Sequence, residues 1–473
     1  MQGLFVAYLA GRTVFQGNVG APGRALNVCC AWFDEFGKAQ TDCPNETDFL
    51  SAHQRFVEVR LKNLGTKLSE QRRKARIQAL DVDTSLRKSA VEKAFAKVLP
   101  PIYHALHQQH HTLDPGTKKR VSFGLIRMAN INPIIAVART LFAIAPPINT
   151  KIHLCVYHSR FPLIVRSGIE ARLDQMLKRH DELAVFKDAA LRAILDDGAE
   201  TDHIFLVLAS PVAEVGRDHD YDWAIVEPSS MRSIIQIAGR VRRHRPGAVE
   251  RANIVLLNQN LRSLTDLGKP AFKWPGFESD KIFDREKRYL LKSHELKKLL
   301  SPSDIEPLSA APRIVERTEK PRERLLDLEH ARLRSLLVAK QIDEYFVRRF
   351  WTGATQFTGI EQDEKAFRNP MKQIEYYVQP EGNTPQHFRV ELKADDTQQN
   401  GVFDQIKLTL AGGVALWATP DLAEGLAALP EAGYLAPQDL ARRFACMQVT
   451  DYGKSGQLSW HPWLGYASKK LDL

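Results

Sequence analysis

From Val121 onward the chain alternates short, almost wholly apolar runs with segments of helix length, and few folds accommodate that rhythm. Val121 to Met128, Lys151 to Tyr157, Ile204 to Leu208, Trp223 to Val226 and Ala252 to Leu257 read as strands. Pro133 to Phe142, Pro162 to Arg179 and Met231 to Gly239 read as helices; in the longest, Ile169, Leu173, Met176 and Leu177 recur at helical spacing. A strand that is apolar along its whole length must be covered on both faces, as in a parallel sheet between helices. Such sheets meet their ligands at the loops leaving the carboxyl ends of the strands. Here those loops are Ala129-Asn130, His158-Ser159-Arg160 and Ser210 to Asp218.

The remainder of the 473 residues is less regular. The opening MQGLFVAYLAGRTVF lacks the charged start of a signal peptide and reads as an amphipathic helix, with Leu4, Phe5, Tyr8 and Leu9 on one face. A Gly/Pro turn and an apolar strand, Ala25 to Phe33, follow. Arg60 to Arg76 holds seven Lys/Arg and one acidic residue, a pattern of either a solvated helix face or a phosphate-contacting one. After Asn258 comes a charge-mixed linker, then a helix from Glu323 to Leu337, then a smaller α+β region carrying Trp351, Tyr376-Tyr377 and Trp460-His461-Pro462-Trp463. No apolar run reaches transmembrane length. The five cysteines are scattered, without a C-x-x-C pair, which supports neither a disulfide framework nor a zinc ribbon and suits a reducing cytoplasm. A net charge of +10 leans toward a nucleic-acid partner, with solubility alone as the plainer explanation.

The most chemically loaded stretch is Leu206 to Arg245. Glu214, Gly216 and Asp218 follow one strand, and Gln236, Gly239, Arg240 and Arg243 follow one βα unit later. Guanidinium forks stay charged and donate paired hydrogen bonds, so the pattern suits half of a nucleoside-triphosphate site. A basic helix end would account for Arg242 to Arg245, but not for the glutamine and glycine at these spacings. The other half needs a G-x-x-x-x-G-K-[ST] loop, and none is present; Gly453-Lys454-Ser455 has Gln448 where the first glycine belongs. Asp34-Glu35 mimics the end of an acidic box only weakly. The histidines His104, His107, His110 and His111 have helical spacing but no Cys or carboxylate beside them, and the pairs His180-Asp181 and His219-Asp220 lack further spaced ligands. No metal site is expected from these residues.

The Gln236-to-Arg243 string, with Glu214-x-Gly216-x-Asp218 before it, resembles motifs V and VI of superfamily 2 helicases. Phe123 to Asn130, Tyr157 to Pro162 and Cys30 to Glu35 narrow the resemblance to the CRISPR-associated helicase–nuclease of type I-F (Ypest) systems, over its C-terminal portion only. That family implies an antiviral hydrolase recruited by a guide-RNA surveillance complex, which translocates on single-stranded DNA using ATP and cuts it with an HD-type nuclease. The resemblance assigns Arg240 and Arg243 to the γ-phosphate and Gln236 to positioning phosphates and water. Glu214, Gly216, Asp218 and Gly239 would bind ATP and couple it to DNA, and Asn130, His158, Ser159 and Arg160 would lie near the strand channel.

By the same resemblance the fold is α/β. Residues 1–60 would be a remnant of a first RecA-like lobe, 61–120 a basic helical insertion and 121–265 the second RecA-like lobe. A linker with its helix would occupy 266–340, and a smaller α+β C-terminal domain 341–473. The phosphate loop, acidic box and HD nuclease lie outside this sequence, so the chain would begin inside a domain. ATP is then expected only with a first lobe supplied by another chain, and Mg²⁺ belongs to the complete enzyme rather than to this chain. Whether the chain is an enzyme stays open. The alternatives are a non-catalytic nucleic-acid-binding or recruitment module, using its basic surface and C-terminal aromatics to grip single strands, and an inactive fragment.

Overall fold

The computed structural model describes residues 12–17, 28–34, 36–43, 46–67, 71–214, 216–273, 276–279, 289–315, 317–337, 373–381, 385–390, 403–450 and 458–467. The chain divides into two compact units. One comprises Met1–Gln71, Ser229–Ile235 and Gly268–Asn369; the other comprises Arg72–Pro228, Gln236–Leu267 and Pro370–Leu473.

In the first unit, β1 (Arg12–Gly17), β2 (Val28–Asp34) and β3 (Gly37–Cys43) form an antiparallel sheet. The helix expected over the first fifteen residues is therefore a strand from Arg12, where alternate pairing with β2 outweighs the helical spacing; Leu4 to Leu9 lie outside the described residues. Asp34 is a turn residue, its Oδ1 accepting from the amides of Phe36 (2.8 Å) and Gly37 (3.0 Å), which accounts for the acidic-box mimicry. Trp32 anchors this sheet on α1 (Glu46–Lys67), stacking on Phe49 at 5.8 Å and donating to His53 Nδ1 at 3.1 Å. Elsewhere in the unit the helix Leu325–Leu337 buries Glu329, which accepts from the Met231 amide and from Arg313 Nε; burial pushes its carboxyl up.

The second unit is built on the sheet anticipated from the sequence. Its strands are β4 (Ala75–Gln78), β5 (Thr112–Leu113), β6 (Arg120–Arg127), β7 (Thr150–Tyr157), β8 (Asp202–Ala209), β9 (Trp223–Val226) and β10 (Ile254–Leu257). A C-terminal strand, β14 (Val414–Leu416), completes the order β14-β7-β8-β6-β9-β10-β4, parallel throughout, with β5 antiparallel on β6. Every residue of β8 and β9 is buried, as continuous apolar strands require. Gly124 has no side chain because the Trp223 ring lies where its Cβ would be, 2.1 Å away. The connecting helices are α2 (Lys88–His110), α3 (Ile131–Phe142), α4 (Leu163–Leu177) and α5 (Ala189–Asp197); of α6 (Met231–Ala238), only Gln236–Ala238 belong to this unit.

Two features lie outside the sequence reading. The segment read as a helical insertion contributes β4 to the sheet, and the C-terminal region contributes β14 on the opposite edge. The remaining C-terminal strands form two three-stranded sheets, β12-β11-β15 and β13-β16-β17 (β11 Gln373–Gln379, β12 Gln386–Arg389, β13 Phe403–Gln405, β15 Cys446–Thr450, β16 Leu458–His461, β17 Gly465–Ala467). Tyr376 and Trp460 pack in one apolar cluster and Tyr377 in another, all at 6% exposure or less. These aromatics are core, so they cannot serve as the base-stacking platform expected of them; Trp463 is half-buried, and Trp351 lies outside the described residues. Among the described residues no helix is long and apolar enough to cross a membrane.

Candidate functional site

After β8, the Ser210 amide donates to Tyr157 O (3.0 Å) and a single 3-10 turn, Pro211–Glu214, follows. Gly216 is exposed and adopts φ +73°, a left-handed conformation that a side chain would strain. The chain then runs through Asp218 to Asp222 into β9 and returns through α6 to Gly239 and Arg240. Tyr221 N donates to Arg240 O (2.8 Å) and Arg242 N to Tyr221 O (2.9 Å), which ties the two halves of the predicted motif side by side.

Glu214 has a defined partner. Its carboxylate accepts from Arg127 Nε at 2.8 Å, with Arg127 Nη2 at 2.7 Å, and both side chains are buried; Arg127 also donates to Glu227 O at 2.8 Å. Glu214 thus braces the end of β6 against the turn and presents only its carbonyl to Arg240, whose Nη2 donates to it at 3.1 Å. Arg240 is 7% exposed, and its other terminal nitrogen, Nη1, is buried without a hydrogen-bond partner among the described residues. Gln236 Oε1, one helical turn earlier, is in the same condition. Burial, and then the neighbouring Arg243 charge, lower the Arg240 pKa. A buried donor on a guanidinium and a buried acceptor on an amide are each costly to leave without a partner. An oxyanion with an ordered water fits that donor set.

Arg243 is more open, donating from Nε to Asp218 Oδ1 at 2.6 Å, with both side chains 39% exposed. Burial raises the Asp218 pKa, but Arg243, His244 and His180 outweigh it and hold the carboxyl below its usual value. His244 Nε2 lies 3.1 Å from Asp218 Oδ1, and His180 Nε2 lies 3.6 Å from Oδ2. The surroundings of Asp218 are cationic, with no second carboxylate in this group, which is a poor set of ligands for Mg²⁺.

A second set of arginines lies deeper. Arg245 donates to Asp220 (2.9 and 3.2 Å), Asp222 (2.5 Å), Glu182 (3.0 Å) and Tyr221 O (3.0 Å), and Arg179 donates to Asp222 at 2.8 Å. Burial raises the Asp222 pKa, but the two guanidinium groups outweigh it and hold it down. Neither Arg127 nor Arg245 stands out as a site residue by spacing alone. Arg127 is detectable as the one charge inside the apolar run from Val121 to Met128, since such a residue needs a buried partner.

The loops at the neighbouring strand ends behave differently from expectation. His158 is fully buried, its Nε2 bonded to Leu464 O at 2.8 Å and its Nδ1 accepting from the Arg160 amide at 3.1 Å; burial pushes its pKa down to about 3. It holds the β7 loop to the β16–β17 hairpin and has no surface to offer a nucleic acid. Asn130 Oδ1 accepts from Arg262 (2.7 Å) and Asn132 Oδ1 accepts from Arg160 (2.5 Å), while Ser159 is exposed. Two of the helical histidines are held inside the fold. His107 is buried between Ser122 and Asp202, both at 2.8 Å, and burial takes its pKa to about 4 although Asp202 opposes this; His110 bonds Ala252 O. His219 is bonded to Asp174 at 3.0 Å, and Asp220 holds Arg245. The Gly453-Lys454-Ser455 turn lies outside the described residues.

With this geometry in hand, residues 120–246 match the family model of the C-terminal part of the CRISPR-associated nuclease/helicase Cas3, and residues 385–468 match the Cas3 subtype I-F/YPEST-like C-terminal domain. A CRISPR-associated nuclease/helicase Cas3 subtype I-F/YPEST from Pseudomonas aeruginosa is 41% identical over 473 residues, covering 98% of this chain and 43% of that relative. One from Pectobacterium atrosepticum is 43% identical over 391 residues, covering 80% of this chain and 34% of that relative. A crystal structure of T. fusca Cas3 aligns with 91% of this chain and 40% of its own at 15% identity and a TM-score of 0.37. The α/β sheet and the loops at its strand ends thus fall in the part of the chain that matches the C-terminal portion of the Cas3 proteins. More narrowly, the chain belongs to the Cas3 subtype I-F/YPEST family, corresponding to its C-terminal portion and spanning less than half the length of the curated relatives it matches.

Proposed function

We propose that the chain acts as the C-terminal part of an ATP-dependent single-stranded-DNA helicase–nuclease in CRISPR type I-F defence, and that it supplies the arginine-bearing half of the nucleotide site. The observation that carries this reading is the pair of unpartnered buried atoms, Arg240 Nη1 and Gln236 Oε1, within the motif string. In this reading Arg240 and Arg243 donate to the γ-phosphate, and Gln236 orients the phosphate or the attacking water. Asp218 holds Arg243 in reserve until a stronger anion arrives. Gly216 and Gly239 let the backbone approach, and Glu214 acts by fixing the turn. ATP and Mg²⁺ are gripped by a phosphate loop and acidic box on another segment or chain. Asn130, Ser159 and Arg160 border the strand channel, and a guide-RNA surveillance complex recruits the assembly in the cytoplasm.

Single-stranded-DNA-stimulated ATP turnover tests this. We expect negligible turnover by the chain alone and turnover on adding the first-lobe segment. Arg240→Ala then lowers that turnover by about 10³-fold or more. Turnover indifferent to Arg240→Ala would overturn the assignment. The net charge of +10 favours a second reading, a non-catalytic nucleic-acid-binding module. Its signature is DNA binding that falls steeply with salt, ignores ATP and leaves the reconstituted site silent.

A further inference from the structure

Three side chains far apart in sequence meet beside the arginine motif. His180 follows α4, Asp218 lies in the turn before β9, and His244 follows α6; among the described residues they are the one group of three or more His, Cys, Asp or Glu whose donor atoms converge, all within 4.8 Å of one another. We propose that His180, Asp218 and His244 form a binding site for a borderline transition-metal dication of the Zn²⁺ class.

The geometry fits such an ion. Tetrahedral zinc with bonds of about 2.0–2.1 Å sets its ligand atoms roughly 3.3 Å apart. The observed separations are 3.1 Å from His244 Nε2 to Asp218 Oδ1 and 3.6 Å from His180 Nε2 to Asp218 Oδ2, so a small rotation of the carboxylate presents one oxygen to both. The two imidazoles pack together with centroids 3.7 Å apart and 30° between their planes, so a modest opening of the pair would let both nitrogens reach one ion. His244 Nε2 provides an independent sign. It is buried and 3.1 Å from the carboxylate, yet makes no aligned hydrogen bond among the described residues, so its lone pair is not committed to Asp218. Two imidazoles and one carboxylate select Zn²⁺, Ni²⁺ or Cu²⁺ over the oxygen-seeking Mg²⁺ and Ca²⁺, and a water completes the fourth position.

One group opposes the ion, and it defines what the site does. Arg243 Nε sits 2.6 Å from the same Asp218 oxygen. A metal that takes this oxygen competes with Arg243 for the same carboxylate charge and displaces its Nε from Asp218. Metal occupancy would clip the ends of α4 and α6 to the turn and leave the Arg243 head unclamped. The site itself does not depend on Arg243 reaching a phosphate.

Zn²⁺ titration of the full chain against a competing chromophoric chelator reads the site directly. We expect one Zn²⁺ per chain. His180→Ala, at an exposed position where the fold tolerates change, weakens binding by roughly tenfold or more, whereas His104→Ala leaves it unchanged. Arg243→Ala tightens it severalfold by removing the competitor. A Co²⁺-loaded chain shows the intense visible bands of four-coordination, and these vanish in Asp218→Asn. Equal affinity in wild type and His180→Ala would overturn the site, and unchanged affinity in Arg243→Ala would overturn the exchange. Because the readout involves neither ATP nor DNA, its failure is distinguishable from failure of the helicase reading.

Discussion

Two groups of arginines share the stretch from Asp218 to Arg245 and are treated in opposite ways. Arg245 is surrounded by Asp220, Asp222, Glu182 and a carbonyl, with its hydrogen-bonding capacity used inside the fold. Arg240 and Arg243, a few residues away, keep a free buried nitrogen and a half-exposed ion pair. The difference separates scaffold from site. A charge fully matched by protein has nothing left for a ligand, while a charge partly matched is held ready at an energetic cost that a ligand can relieve.

The largest expected effect on the internally matched scaffold, its buried histidines included, comes from acid. Burial holds His107 and His219 at about 4 and His158 at about 3 in the folded protein, against 6.5 when exposed. The unfolded chain therefore binds protons that the folded chain refuses, and stability present above about pH 6.5 is lost as pH falls toward 4. Each histidine contributes a slope of at most about 1.4 kcal/mol per pH unit, readable as a falling urea midpoint between pH 7 and 5. A flat urea midpoint across that interval would show that these rings are not buried neutral. Next in size is Arg245→Ala, which removes the only guanidinium on Asp220 among the described residues and leaves Asp222 to Arg179 alone, and should cost roughly 3–5 kcal/mol in the same urea titration. The smallest is Arg243→Ala. Its ion pair with Asp218 is open to water, so stability should move by about 1 kcal/mol or less. Should Arg243→Ala prove as damaging as Arg245→Ala, the distinction between scaffold and site would collapse.

How much of this was legible beforehand follows the same division. The continuous apolar strands announced the parallel sheet, because a strand buried on both faces permits no polar parity, and β6 to β10 lie close to where that pattern put them. The edges did not show. β4 reads ARIQ and β14 reads VAL, too short and, for β4, too polar to announce strands, since an edge strand needs only one neighbour. Spacing alone placed Gln236, Arg240 and Arg243 together, but could not say that Glu214 is spent on Arg127 or that His158 is walled in by Leu464. Those outcomes depend on contacts between segments distant in sequence. Nor could the pair His180-Asp181 reveal a constellation whose other members are Asp218 and His244.

The pairing of β14 with β7 also sets an order of events during synthesis. Ile152 pairs with Val414, and Leu154 with Leu416. At ribosomal speeds of about 5–20 residues per second, the β7 edge emerges on the order of tens of seconds before the strand that covers it. Throughout that interval an apolar strand, TKIHLCVY, stands with one row of backbone groups open to any passing extended chain. A nascent chain of this kind is most vulnerable to mispairing, and most dependent on a chaperone, before its last hundred residues have been made.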